Sequence, residues 1–277
     1  MYYPSLEEVK ALAGQGNLVP IYREITADLE TPVSAYLKVA QAPYSFLLES
    51  VEGGERLARY SFIGTEPYHV VKTGPGQPDG EVDPLVLIQE RLDRYTPGPV
   101  QGLPRFHGDA VGYLAYDAVR YFERVPTPSK DTLGLPEALF LFVDTLLVFD
   151  HVRHKIKVVT HIHLEEGAVE DAYKEAVGRI EGLVGRLGKP LVVEPRPQKG
   201  VVDGELQITS NMTKEQYEAK VERIKEYIYA GDIIQAVLSQ RLARPTQASP
   251  FDIYRALRAL NPSPYMYYLS LDGFHIV

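Results

Sequence analysis

Two strand-like runs, Leu139–Phe149 and Lys155–His163, are joined by the polar turn Asp150-His151-Val152-Arg153-His154. Strand-like runs bounded by such a turn read as a strand pair, and this pair is the strongest one in the chain. Further strand-like runs cover Asn17–Glu24, Tyr44–Val51, Leu57–Ile63 and Tyr68–Lys72, with Gly53-Gly54 placed as a hairpin turn would be. Helical signals fall between them. Ser5 followed by Leu6-Glu7-Glu8 reads as an N-cap and first turn, giving a helix to about Gly14. Thr31–Gln41 carries Pro32 at its first helical position. Asp83–Tyr95 sets Leu85, Ile88, Leu92 and Tyr95 on one stripe, and Glu165–Leu187 is a long helix ended by Gly188-Lys189-Pro190. Strands and helices mix without regular βαβ alternation. That pattern argues an α+β fold of mixed antiparallel sheets flanked by helices, against a Rossmann-like one.

Periodicity lapses between Gly188 and Ser210, where Pro190, Pro195, Pro197, Gly200 and Gly204 accumulate. The chain is therefore divided into residues 1–188, a linker at 189–210, and residues 211–277. After the linker, Asn211 or Thr213 caps a helix with Tyr217, Val221, Ile224 and Ile228 on its apolar stripe, and Gly231 ends it. A strand is expected over Ile233–Ala243, a helix over Pro250–Leu260 and a strand from Tyr265 onward, so that the sequence stops at Val277 in mid-strand with an apolar edge.

Composition removes several classes of function. The 277 residues are 45% hydrophobic and 24% charged, which is ordinary globular usage. A net charge of −8 offers no footprint for nucleic acid or an anionic membrane. No run approaches a membrane span, the start lacks a signal peptide's regions, and with no cysteine the plain expectation is a cytoplasmic protein. Gly74–Gly80 is glycine-rich but lacks the Lys-Ser/Thr of a phosphate cradle, so it reads as a loop. His151, His154, His161 and His163 gather around one hairpin, and His161 and His163 share a strand face. No third ligand stands at suitable spacing, and a solvated hairpin is the reading adopted. Asp117 in GYLAYDAVRYFE reads equally as a functional acid or as a capped or solvent-facing one.

The run Ile233–Arg241, IIQAVLSQR, alternates Gln235, Val237, Ser239 and Arg241 on one face with Ile234, Ala236, Leu238 and Gln240 on the other. By pattern alone the polar face is either solvated or the wall of a polar pocket. The stretch AGDIIQAVLSQR resembles the opening of the chorismate-utilising domain shared by anthranilate synthase component I, aminodeoxychorismate synthase and the isochorismate synthases. Within that superfamily, enzymes that add water carry a lysine as base at the place of Gln235. Ammonia brings its own lone pair and needs only orientation. The resemblance therefore implies an aminating enzyme, with Gln235 orienting the nucleophile.

Phe46–Ser50 (FLLES), Arg59–Gly64 (RYSFIG) and Asn261–Leu269 (NPSPYMYYL) resemble the tryptophan feedback site of the anthranilate synthase component I family. The resemblance implies L-tryptophan bound by Ser50, Pro264, Tyr265 and Met266, with Glu49 and Arg59 as further candidates. On a strand, Ser50 shares a face with Phe46 and Leu48, so its hydroxyl needs a partner. Pro264 offers a flat surface and Met266 a polarizable one for an indole ring. By the same resemblance, residues 1–188 form a regulatory-type domain and residues 211–277 begin the catalytic domain. Mg²⁺ is the implied cofactor, with ligands expected beyond Val277 and none in this segment. Chorismate is the substrate, a glutamine amidotransferase component supplies ammonia, and anthranilate and pyruvate are the products. The alternatives are an aminodeoxychorismate synthase component and a tryptophan-binding fragment without turnover. The absence of Trp beside 19 Tyr and 9 Phe suits an enzyme needed when tryptophan is scarce.

Overall fold

Ser5 and Thr31 start the first two helices through their own side chains. The computed structural model describes residues 1–50, 59–126, 131–164, 168–192 and 208–277. Each of the two caps accepts from the backbone three residues on, while the residue there, Glu8 or Ser34, reaches back to the cap. The helices are α1 (Leu6–Leu12) and α2 (Pro32–Val39). Asp83 caps α3 (Pro84–Leu92), and α4 (Val169–Leu187) lies against the sheet. The Gly53-Gly54 turn, the start of the helix at Glu165 and most of the 189–210 linker lie outside the described residues.

Contacts divide the chain into one unit of Met1–Val192 with Pro250–Val277, and a second of Val193–Ser249. The first unit holds a seven-stranded antiparallel sheet. Its strands are β1 (Leu18–Thr26), β2 (Tyr44–Glu49), β3 (Tyr60–Thr65), β7 (Thr145–Asp150), β8 (Lys155–His163), β11 (Met266–Leu271) and β12 (Phe274–Ile276), in the order β1-β8-β7-β3-β2-β11-β12. A three-stranded sheet places β6 (Ala138–Val143) between β4 (His69–Thr73) and β5 (Asp109–Leu114). Helices cover one face of the larger sheet. There Leu47, Ile63, Leu147, Phe149, Ile156, Val158 and Ile162 meet Tyr36, Val39, Ala176, Ile180, Leu183 and Tyr254. On its other face Phe46, Leu269 and Leu271 pack with Leu139, Leu141 and Val143 of the smaller sheet. Antiparallel sheets with helices are the expected architecture.

The run 139–149 is not one strand. It breaks at Asp144, sending β6 into one sheet and β7 into the other. An acid between two apolar runs needs partners, and the break supplies them. Thr145 Oγ1 donates to the Asp144 carboxylate at 3.0 Å, with Arg179 Nη2 at 3.7 Å and His163 Nε2 at 3.8 Å. Burial alone would raise this carboxyl, but His163, Arg179 and Thr145 outweigh it and hold it below the usual range. The final strand also differs from expectation. After Leu271 the chain turns at Asp272-Gly273, both at positive φ (49° and 97°), and returns as β12 paired with β11. Tyr44 and Lys72 donate to the Asp272 carboxylate at 3.1 and 2.9 Å and fix the turn.

In the second unit, Thr213 and Gln216 form a capping box on α5 (Lys214–Ala230), and Gly231 closes it in the left-handed region at φ 83°. The expected strand Ile233–Ala243 is corrected here. Only β10 (Leu242–Ala243) pairs, with β9 (Thr209–Ser210), and the residues before it have no ladder partner among the described residues. A strand exists only where a neighbour takes its backbone hydrogen bonds. Ile234 and Val237 stand 98% and 86% exposed.

Of the hairpin histidines, His154 is exposed in the turn as expected, while His151, His161 and His163 meet partners in the sheet region. His161 is buried; its Nδ1–H donates to the Asp144 carbonyl at 2.9 Å, which leaves Nε2 to accept from His107 Nδ1 at 3.1 Å. His151 meets Ser61 at 2.8 Å. Among the described residues no group of three or more His, Cys, Asp or Glu side chains is arranged to hold a metal ion. Burial pushes His161 down to about 4 from 6.5. The unfolded chain therefore takes up this proton first, so the stability held by neutral His161 is full above pH 6.5 and drains as pH falls toward 4. The loss is roughly 3 kcal/mol. His161→Asn, which cannot titrate, should flatten urea-unfolding stability across that interval; a pH profile unchanged from the parent would refute the assignment.

Candidate functional site

Strand β2 ends at Glu49 and the chain goes on to Ser50, the alternation sending the two side chains to opposite faces of the sheet. Ser50 follows Phe46 and Leu48 onto the face away from the helices. Its Oγ donates to the Pro264 carbonyl at 3.1 Å, a bond across 214 residues of sequence. Glu49 follows Ser45 and Leu47 onto the helix face, 4% exposed. There it meets α6 (Pro250–Leu260), which the sequence predicts over the same residues. Arg258 donates Nε and Nη2 to the two Glu49 oxygens at 2.9 and 3.1 Å, and the Tyr254 hydroxyl donates to the same carboxylate. Tyr254 is fully buried; burial and the Glu49 hydrogen bond both raise its pKa far above the ordinary value, so it stays a donor.

Register explains why distant segments meet. β11 pairs with β2 so that Tyr267 lies opposite Leu48 and Met266 opposite Glu49, and β3 pairs on the other side with Phe62 opposite Leu48. A cavity of about 760 Å³ opens over this patch. Leu48, Tyr60, Phe62, Phe106 and Tyr267 make it largely apolar, while Ser50 and Arg59 stand in its lining. Phe106 meets Phe62 edge-on with centroids 5.0 Å apart. An aromatic floor with a few fixed polar groups suits a small planar ligand.

Each expected residue has a definite place. Ser50, Tyr265, Met266, Glu49 and Arg59 all border the cavity; Pro264 is not in its lining, and its carbonyl accepts from Ser50. Their surroundings differ from the simplest reading. Arg59 donates Nη2 and Nε to Asp150 at 2.9 and 3.3 Å and lies over the Tyr60 ring at 4.8 Å. Burial would raise Asp150, but Arg59 and the backbone N–H groups of Arg153 and Val152 hold its carboxyl low. Met266 is 6% exposed and packs in the helix-side cluster with Phe251, Tyr254 and Tyr268. Gln235 belongs to the other unit, on the irregular exposed run before β10. The lining roles of Tyr60, Phe62 and Tyr267 lay inside RYSFIG and NPSPYMYYL. Phe106 carries no sequence signal. Tyr254 and Arg258 could have been found from their i, i+4 spacing on an amphipathic helix.

The profile of the family described as chorismate binding enzyme matches residues 43–277. The chain belongs to this family. It is 45% identical over 282 residues to a probable anthranilate synthase component 1 of Schizosaccharomyces pombe, an alignment covering 99% of this chain and 56% of that protein. It is 41% identical over 294 residues to the anthranilate synthase component 1 of Acetivibrio thermocellus, covering all of this chain and 58% of that protein. The chain thus spans a little over half the length of these relatives. Among solved structures it resembles anthranilate synthase component I from Streptococcus pneumoniae TIGR4, with a TM-score of 0.57 and 27% identity over 88% of this chain and 54% of that one.

Removing the Tyr254 hydroxyl deprives a buried carboxylate of one donor while keeping the ring packing. Tyr254→Phe should therefore cost about 1–2 kcal/mol in urea unfolding, whereas a change within a few tenths would show that Glu49 is satisfied without it.

Proposed function

We propose that this chain is part of the large component of an anthranilate synthase. In this reading the parent enzyme converts chorismate and ammonia to anthranilate and pyruvate, with ammonia supplied by a glutamine amidotransferase component in the cytoplasm. The pairing of residues 1–188 as a regulatory domain with 211–277 as the start of a catalytic domain belongs to the same proposal. Support comes from relatives that bear the name anthranilate synthase component 1 at 41–45% identity. Gln235, a neutral amide, orients ammonia without having to deprotonate it. The reading includes Mg²⁺, but the described residues bring together no group of three or more side chains able to ligate it. No step is assigned to the metal here.

The cavity beside Ser50 is the proposed site of feedback by L-tryptophan. The single observation behind this is the Ser50–Pro264 hydrogen bond at the edge of an aromatic-floored cavity of about 760 Å³. An indole ring fits over Leu48, Phe62 and Tyr267, while Ser50 and the backbone near Pro264 and Tyr265 meet the polar end of the amino acid. Glu49 and Arg59, each held by protein partners, shape this edge, and Met266 borders it.

Because the chain contains no Trp, indole emission in a titration belongs to the ligand alone. L-Tryptophan titrated with the protein should show a saturable blue shift. Ser50→Phe should weaken it at least tenfold, about 1.4 kcal/mol. A folded sample that leaves the emission unmoved would refute the cavity assignment.

A further inference from the structure

The end of β2 is gripped on both faces by one continuous segment, residues 254–264. On the helix face, Arg258 and Tyr254 hold the two oxygens of Glu49; on the cavity face, Ser50 holds the Pro264 carbonyl. Glu49 and Ser50 are neighbours in sequence, so a displacement of one moves the other. The Glu49 grip is stiff. The carboxylate is buried, Tyr254 is packed among Phe251 and Tyr268, and the guanidinium fork binds in the bidentate mode that fixes orientation as well as distance. The Ser50 grip is the opposite. It is a neutral hydrogen bond beside the cavity, and a ligand acceptor placed there competes for the same proton.

We propose that Tyr254 and Arg258 are positioning residues that transmit occupancy of the Ser50 cavity into α6 through Glu49. The proposal rests on the reading of that cavity as a ligand site. A ligand that orders the β2 end orders Glu49 with it, and the bidentate clamp passes this to the helix. At its first residue, Pro250, α6 continues directly from the chain that bears Gln235. Glu49 then serves the site from behind the sheet. Three acceptor positions of its carboxylate are taken by α6. Coupling by such a clamp needs no long path: the cavity edge and α6 meet at one strand end.

Hydrogen exchange on the full 277-residue chain, with and without saturating L-tryptophan, tests this, with affinity read in parallel from ligand fluorescence. In the parent protein, ligand should slow exchange of the α6 amides about fivefold or more, along with those of β2 and β11. Arg258→Gln should bind tryptophan within about twofold of the parent, yet lose the ligand-dependent slowing in α6. Tyr254→Phe and Arg258→Lys, which keep packing or charge, should retain part of it; they also carry the test if Arg258→Gln is poorly folded by circular dichroism. A purely structural role would raise α6 exchange equally with and without ligand and leave the ligand-induced difference intact. That outcome overturns the proposal, as does slowing confined to β2 and β11 in the parent protein. Absence of any fluorescence shift is a separate result, which removes the cavity reading and this inference with it.

Discussion

The antiparallel pairing of β2 with β11 is the constraint on which the rest of the first unit's functional edge depends. It joins residues 44–49 to residues 266–271, strands from opposite ends of the chain, and fixes their register residue by residue. A slip by one position would turn Leu48 and Ser50 toward the helices and Glu49 toward the cavity. In the observed register the apolar side chains of both strands face the same layers, so hydrophobic burial enforces the pairing. The cavity floor, the Ser50–Pro264 bond and the Glu49 clamp all follow from it.

The two faces of the β2 end therefore have different work. On one side Leu48, Phe62 and Tyr267 present apolar surface with the Ser50 hydroxyl at its rim. On the other, an ionised carboxylate is buried, a placement that is costly unless fully paired. Arg258 and Tyr254 supply that pairing and in doing so bind α6 to the sheet. The same side chains that satisfy a buried charge also define where the helix must sit.

Local chemistry made much of this fold legible. Ser5, Thr31 and Thr213 stand at helix starts because their side chains satisfy free backbone donors, Gly231 ends α5 because it accepts positive φ, and α6 was readable over the same residues that form it. What escaped depends on neighbours distant in sequence. The 139–149 run is strand-like on both sides of Asp144, and it divides there, where the acid is met by Arg179 and His163. The run 233–241 alternates like a strand, but alternation provides no hydrogen-bonding partner. The Asp272-Gly273 turn did carry a local signal, a strong hairpin dipeptide that the reading of one continuous strand passed over. For the candidate site, the resemblance pointed to segments that do border the cavity. It could not say that Met266 would pack toward the helices or that Glu49 would be held by α6, because facing is decided by register.

A cysteine-free chain allows the central pairing to be tested directly. Ser45 and Ser270 lie opposite one another in β2 and β11. Replacing both, as Ser45→Cys with Ser270→Cys, places two thiols within reach of a cross-strand disulfide. Under mild oxidation, mass spectrometry of the monomer should find a single intramolecular bond linking the two peptides, formed in the folded protein and not in urea. Persistent free thiols in the folded monomer, or only intermolecular disulfides, would contradict the register and with it the architecture of the site.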